Sequence, residues 1–121
     1  MYTIEKKFSF DAAHQLEGLP SNHPCTRLHG HTYEVIIQLS SQTLNTVGFV
    51  VDYRELSVVK DYIDNTLDHR HLNDILDVNP TAENIAKHLY EKFKKMLPAL
   101  TSVIVKETPK TAARYAPGFD K

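Results

Sequence analysis

The chain has one cysteine, almost no net charge and no long apolar run. A lone Cys25 among 121 residues makes an internal disulfide impossible and fits a reducing compartment. The formal net charge of −1 leaves no global basic field, so electrostatics gives no reason to expect a nucleic-acid partner. No apolar stretch approaches the ~18 residues of a membrane span, so no membrane partner is expected. The opening MYTIEKKFSF alternates instead of forming the continuous apolar core of a secretion signal. Together these absences predict a cytoplasmic protein. No repeat, low-complexity segment or linker interrupts the sequence, and a length of 121 suits one domain over residues 1–121. Histidine is plentiful instead. There are seven, and His14, His29, His31, His69 and His71 fall in tight local settings.

Periodicity supplies the elements. Residues 2–10 alternate, with Tyr2, Ile4, Phe8 and Phe10 on one parity, as a strand with one buried face does. Lys6 breaks that face, which places the strand at an edge. Residues 17–28, rich in Gly, Pro and Asn, read as a loop. Residues 29–41 form a second strand, with Tyr33, Val35, Ile37 and Leu39 facing inward and Ile36 interrupting the polar side. A turn at Asn45–Gly48 leads to an expected short strand, Phe49–Val51. Asp52 and Glu55 have capping-box spacing, and Leu56, Val59, Ile63 and Leu67 then recur as on a helix. Thr81 is the expected cap of a second helix, with Ile85, Leu89, Phe93 and Met96 as its apolar stripe. Residues 102–108 and 112–116 read as further strands. This order predicts an α+β fold, a mainly antiparallel sheet with both helices on one face. The sheet is expected to keep an apolar face after the helices pack, and a second subunit would cover it.

His29 and His31 stand at i and i+2 on a strand, so both imidazoles point the same way. Gly30 between them leaves room for a ligand. His14 ends the first strand on the parity of Phe8 and Phe10. Antiparallel pairing of the two strands brings it to the same point. Three histidines with an open fourth position are a catalytic zinc arrangement, so Zn2+ is the expected cofactor. A His-x-His pair alone is weak, since His69-Arg70-His71 has the same spacing.

Cys25 lies four residues before His29. There a thiol is a fourth metal ligand, a base or nucleophile beside the metal, or simply a small buried hydrophobe. Asp68 can orient His69 and support its charged form, provided that a turn brings these adjacent side chains together. Otherwise they are an exposed loop pair. Glu107 shares the inward parity of Val103 and Val105, where an acid needs a partner. A carboxylate accepts two hydrogen bonds side by side and so matches the donor edge of a pterin or guanine. A strand-end glutamate reaching solvent or a lysine is the plainer alternative. Arg27, Lys106 and Lys110 are charges available to a phosphate.

Six segments, in order, resemble the 6-pyruvoyl-tetrahydropterin synthase family. They are residues 8–14 (FSFDAAH), 25–31 (CTRLHGH), 48–53 (GFVVDY), 67–73 (LDHRHLN), 80–84 (PTAEN) and 105–108 (VKET). The resemblance implies a tunnelling fold, in which antiparallel four-stranded sheets of several subunits close into a barrel, with a hexamer of two trimers expected. It implies zinc on His14, His29 and His31, a catalytic thiol at Cys25 and a proton-transfer pair at Asp68 and His69. It also implies a pterin anchor at Glu107, a lesser pterin contact at Thr81, and active sites between subunits. The C-x-x-x-H-G-H spacing resembles the 6-carboxy-5,6,7,8-tetrahydropterin synthase branch of queuosine biosynthesis, which takes 7,8-dihydroneopterin triphosphate as substrate. The 6-pyruvoyl-forming branch, a cysteine hydrolase built on Cys25, and a non-catalytic pterin- or zinc-binding module are the competing readings.

Overall fold

A computed structural model describes residues 1–120, and Lys121, the last residue of the expected domain, lies outside them. Two long strands, β1 (Tyr2–His14) and β2 (His29–Ser41), pair antiparallel along their whole lengths. β3 (Leu100–Lys106) and β4 (Ala113–Tyr115) complete a four-stranded antiparallel sheet in the order β1-β2-β3-β4. The helices lie on one face. α1 (Ser57–Tyr62) is preceded by a 3-10 turn over Tyr53–Leu56 and followed by a π turn over Ile63–Leu67. α2 (Ala82–Phe93) is capped by Thr81, whose hydroxyl accepts from the Asn84 N–H at 3.1 Å.

Alternation puts Phe8, Phe10, Tyr33, Val35, Ile37, Leu39, Val103 and Val105 on the inner face of the sheet. Leu56, Val59, Ile63 and Leu67 from the first helical stretch, and Ile85, Leu89 and Phe93 from α2, close the core over them. The expected capping box is present: Asp52 accepts from the Arg54 N–H at 2.9 Å, and Glu55 accepts from the Asp52 N–H at 3.2 Å. Lys6 does lie on an edge strand. No helix among the described residues is long and apolar enough to cross a membrane.

Four expectations are corrected. Phe49–Val51 is not a strand. Asn45 draws the preceding turn inward, its Oδ1 accepting from the N–H groups of Val47, Gly48 and Phe49, and no neighbouring strand pairs with the segment. Met96 is exposed, because α2 stops at Phe93 and the chain turns; Leu97 takes the core position instead. The third strand runs from residue 100 to 106, not 102 to 108, since Leu100 already pairs with Leu39 past an irregularity at Gln38/Leu39. The outer face of the sheet is not apolar. Glu5, Lys7, Ser9, Glu34, Gln38, Ser102 and Lys106 surround only Ile36 and Ile104. Lys7 pairs with Glu34 at 3.2 Å, and Ser102 donates to Gln38 Oε1 at 2.5 Å. Ile36 is buried among these neighbours without any second subunit.

Candidate active site

The β1–β2 register sets His14 opposite His29 and Ala12 opposite His31. All three imidazoles lie on the inner side at the end of the sheet. Their facing nitrogens are all within 4.8 Å of one another, a set able to hold a metal ion. The orientation of two rings is fixed from behind. His14 Nδ1 donates to the Pro80 carbonyl at 2.7 Å, and His29 Nδ1 donates to the Arg27 carbonyl at 2.7 Å. A carbonyl oxygen only accepts, so both Nδ1 atoms carry a proton, and in the neutral rings each Nε2 is the lone-pair nitrogen. Those two Nε2 atoms face each other at 2.9 Å. At that distance the two nitrogens share either a proton, as a hydrogen bond, or a metal ion. Backing of imidazole ligands by carbonyls is the usual support of a metal site. Burial pushes His14 below the ordinary histidine value of 6.5, which also favours the neutral, ligating form.

His31 Nε2 is buried and makes no hydrogen bond. Glu107 Oε2 lies 3.2 Å from it, out of line for a hydrogen bond, and 4.0 Å from His14 Nε2. The other carboxylate oxygen, Oε1, accepts from the Ala82 N–H at 3.2 Å, at the first turn of α2. The inward parity read for Glu107 is therefore observed, and its partners within the chain are a helix N-terminus and the histidine cluster. Thr81 stands beside it with its hydroxyl engaged as the α2 cap.

Asp68 and His69 are brought together as a pair. The π turn closes with the Asp68 N–H on the Ile63 carbonyl at 2.8 Å, which turns the next residues toward β1. His69 then adopts φ +58°, a left-handed conformation rare for a residue with a side chain. Its Nδ1 donates to Asp68 Oδ2 at 2.9 Å, which leaves Nε2 on the far side of an exposed ring. The Asp11 N–H and then the His69 ring hold the Asp68 carboxyl below the usual carboxylate range. An open cleft of about 600 Å3 has Asp11, Ala13, Gly30, His31, His69 and His71 among its walls. On the other side of His31 a groove of about 540 Å3 is lined by Gly30, Lys106, Glu107 and Thr108.

Cys25 lies in a 3-10 turn, Pro24–Thr26, half-buried and unbonded to any other cysteine. Its sulfur does not join the histidine cluster. Sequence reasoning missed Tyr33, which it counted only as core. The phenol is fully buried, meets the rings of His14 and His31 edge-on at 5.9 and 5.5 Å, and has no hydrogen-bond partner. Burial, and secondarily the Glu107 charge, raise its ionisation far above the ordinary tyrosine value. It missed Asp11 as well, whose backbone and carboxylate lie beside Asp68 and His69. The signal was available: Asp11 interrupts an otherwise apolar approach to His14.

Comparison with known proteins decides the family. The pattern of 6-pyruvoyl tetrahydropterin synthase matches residues 3–118. The chain belongs to the 6-pyruvoyl tetrahydropterin synthase family. It is 42% identical over 125 residues to a 6-carboxy-5,6,7,8-tetrahydropterin synthase of Synechocystis, covering 95% of this chain and 93% of that protein. It is 40% identical over 90 residues to a dihydroneopterin monophosphate aldolase of Pyrococcus furiosus, covering 74% and 73%. The solved 6-pyruvoyl tetrahydropterin synthase of Caenorhabditis elegans superposes with a TM-score of 0.83 at 30% identity, covering 95% and 94% of the two chains. The four-stranded antiparallel sheet with its helices is thus the tunnelling fold of this family.

Proposed function

We propose that the protein is a zinc-dependent 6-carboxy-5,6,7,8-tetrahydropterin synthase of queuosine biosynthesis. The reaction takes 7,8-dihydroneopterin triphosphate and water to 6-carboxy-5,6,7,8-tetrahydropterin, acetaldehyde and triphosphate. The observation that carries the metal half of this reading is the convergence of three imidazoles within 4.8 Å, two of them fixed from behind by a carbonyl. The branch rests on the C-x-x-x-H-G-H spacing and on the Synechocystis relative.

His14, His29 and His31 would hold the metal, with Zn2+ as the ion their all-nitrogen set suits. When bound, such an ion supplies Lewis acidity toward substrate oxygens. The residues divide the remaining work. Cys25, as thiolate, removes a proton from the substrate side chain. His69 Nε2 accepts or delivers a proton elsewhere on that chain, while Asp68 holds the ring through Nδ1 and stabilises its charged form. Glu107 accepts from the donor edge of the pterin and fixes the ring so that its side chain reaches the histidines. Thr81, as the cap of α2, shapes that end of the groove and adds a lesser contact. Lys106, which lines the same groove, is available to a phosphate.

Cys25 and His69 come from separate loops, and His69 is largely exposed in the single chain. Assembly of the site from neighbouring subunits accommodates both facts, and the reading includes a homo-oligomer, a hexamer of two trimers. The polar outer face of the sheet fits the wall of a solvated tunnel better than a hydrophobic contact.

Incubating the pure protein with 7,8-dihydroneopterin triphosphate and determining product masses tests the activity. 6-Carboxytetrahydropterin with acetaldehyde is expected. A 6-pyruvoyl product would move the protein to the other branch, and no turnover by a metal-loaded oligomer would leave only a binding module.

A narrower test concerns Glu107. Glu107→Gln keeps the shape and the Oε1 acceptor for Ala82, but replaces the other oxygen with a donor. Affinity for a stable pterin analogue is expected to fall at least about tenfold, or ~1.4 kcal/mol. Metal content should not change. Calorimetry that finds unaltered affinity in a folded, metal-loaded variant would place the pterin elsewhere.

A further inference from the structure

β1 does not stop pairing after His14; its partners change in kind. Residues 11, 13, 15 and 17 present their backbone groups to the side away from β2. The Asp11 carbonyl accepts from the His69 N–H at 2.6 Å, and the Ala13 N–H donates to the Arg70 carbonyl at 3.0 Å. At residue 15 a side chain takes over. The Gln15 N–H donates to Asn73 Oδ1 at 2.9 Å, and Asn73 Nδ2 donates back to the Gln15 carbonyl at 2.7 Å. Asn79 treats Glu17 in the same way, at 2.9 and 2.7 Å. A carboxamide carries one acceptor and one donor side by side, as a strand residue does, so each asparagine replaces one rung of a missing strand. Asn79 is itself held, because its carbonyl accepts from Asn84 Nδ2 in the first turn of α2 at 2.9 Å.

The residue between the two clamped ones faces the other way. The Leu16 N–H donates to the Cys25 carbonyl at 2.8 Å, and Gln15 Nε2 donates to the Thr26 carbonyl at 3.0 Å. No residue from 15 to 28 is buried, so no apolar anchor fixes this loop. Its position depends on these polar contacts. The clamp fixes residues 15–17 on one side, and residues 15–17 fix the turn bearing Cys25 on the other.

We propose that Asn73 and Asn79 are positioning residues for Cys25. Through residues 15–17 they hold the thiol at a set place relative to His14 and to the Asp68–His69 pair, which is anchored to the same edge of β1. The importance of that placement for turnover rests on the proton-transfer role proposed above for Cys25. The clamp itself does not.

The test uses Asn73→Asp and Asn79→Asp in the assembled, metal-loaded protein. Aspartate keeps the acceptor for the backbone N–H but sets an oxygen against the backbone carbonyl, which opens the rung. Asn73→Ala supplies a neutral form should the added charge hinder folding. Because Cys25 is the only cysteine, its alkylation by iodoacetamide reports on it alone. Each variant is expected to speed alkylation and amide exchange over residues 15–28 by about tenfold, the effect of losing one such hydrogen bond. We expect kcat to fall by a similar factor, with KM changed far less and one metal ion per chain retained. Unchanged alkylation and exchange, in variants that only melt earlier, would overturn the proposal and leave the asparagines structural. Faster alkylation with unaltered kcat would support the clamp and overturn the role given to Cys25, so the two ideas fail separately.

Discussion

Replacing His29 and His31 together by alanine is expected to empty the metal site and abolish turnover, while the sheet survives. Losing a single residue that merely backs a metal ligand already costs ~10–100-fold in metal affinity, so losing two ligands should cost more than that. The fold has no comparable stake in these side chains. Both are only partly buried, and both lie at the end of β2 rather than over the core. His14, which is fully buried, is left in place for that reason. Metal analysis with circular dichroism on the same sample checks both halves of the expectation. Full metal loading in the double variant would remove the three histidines as the binding set.

Cys25→Ala is expected to keep its metal and lose about 10²–10⁴ in kcat, the range typical of a missing acid–base group. Three observations support this separation of roles. The sulfur lies outside the histidine cluster, the three histidines are a complete set without it, and the turn is held through the Cys25 carbonyl rather than the thiol. The variant should therefore fold with its loop in place. Loss of metal from Cys25→Ala would make the cysteine a ligand. Full activity would return it to the plain reading of a small half-buried residue.

The elements and the convergence of the three histidines were legible because each depends on a short-range pattern. Alternation in β1 and β2 marked their inner faces, and i, i+2 spacing on β2 together with the parity of His14 was enough to bring three imidazoles to one point. Asp68 and His69 were harder. Adjacent residues ordinarily diverge, and only a π turn followed by a left-handed residue makes them converge. Neither feature leaves a clear mark in the residue types. Phe49–Val51 misled for the opposite reason. Three β-prone residues look like a strand, but a strand requires a neighbour, and Asn45 had already taken the backbone groups of the approach. The partners of Glu107 were not legible either, since Ala82 is 25 residues away and meets it only when α2 docks against β3. The polar outer face could have been read from Glu5, Lys7, Glu34 and Gln38, had Ile36 not drawn attention to itself.

The origin of the three histidines bears on the order of folding. All of them belong to one hairpin, closed by the loop of residues 15–28, whereas Pro80 and Glu107 reach them from far along the chain. Short loops close at a lower entropic cost than long ones, so the β1–β2 hairpin can draw the imidazoles together early. The lock on the His14 tautomer comes only later, with Pro80. On the proposed metal assignment, an ion present during synthesis would meet the three imidazoles before Pro80 and Glu107 arrive and would help nucleate the sheet.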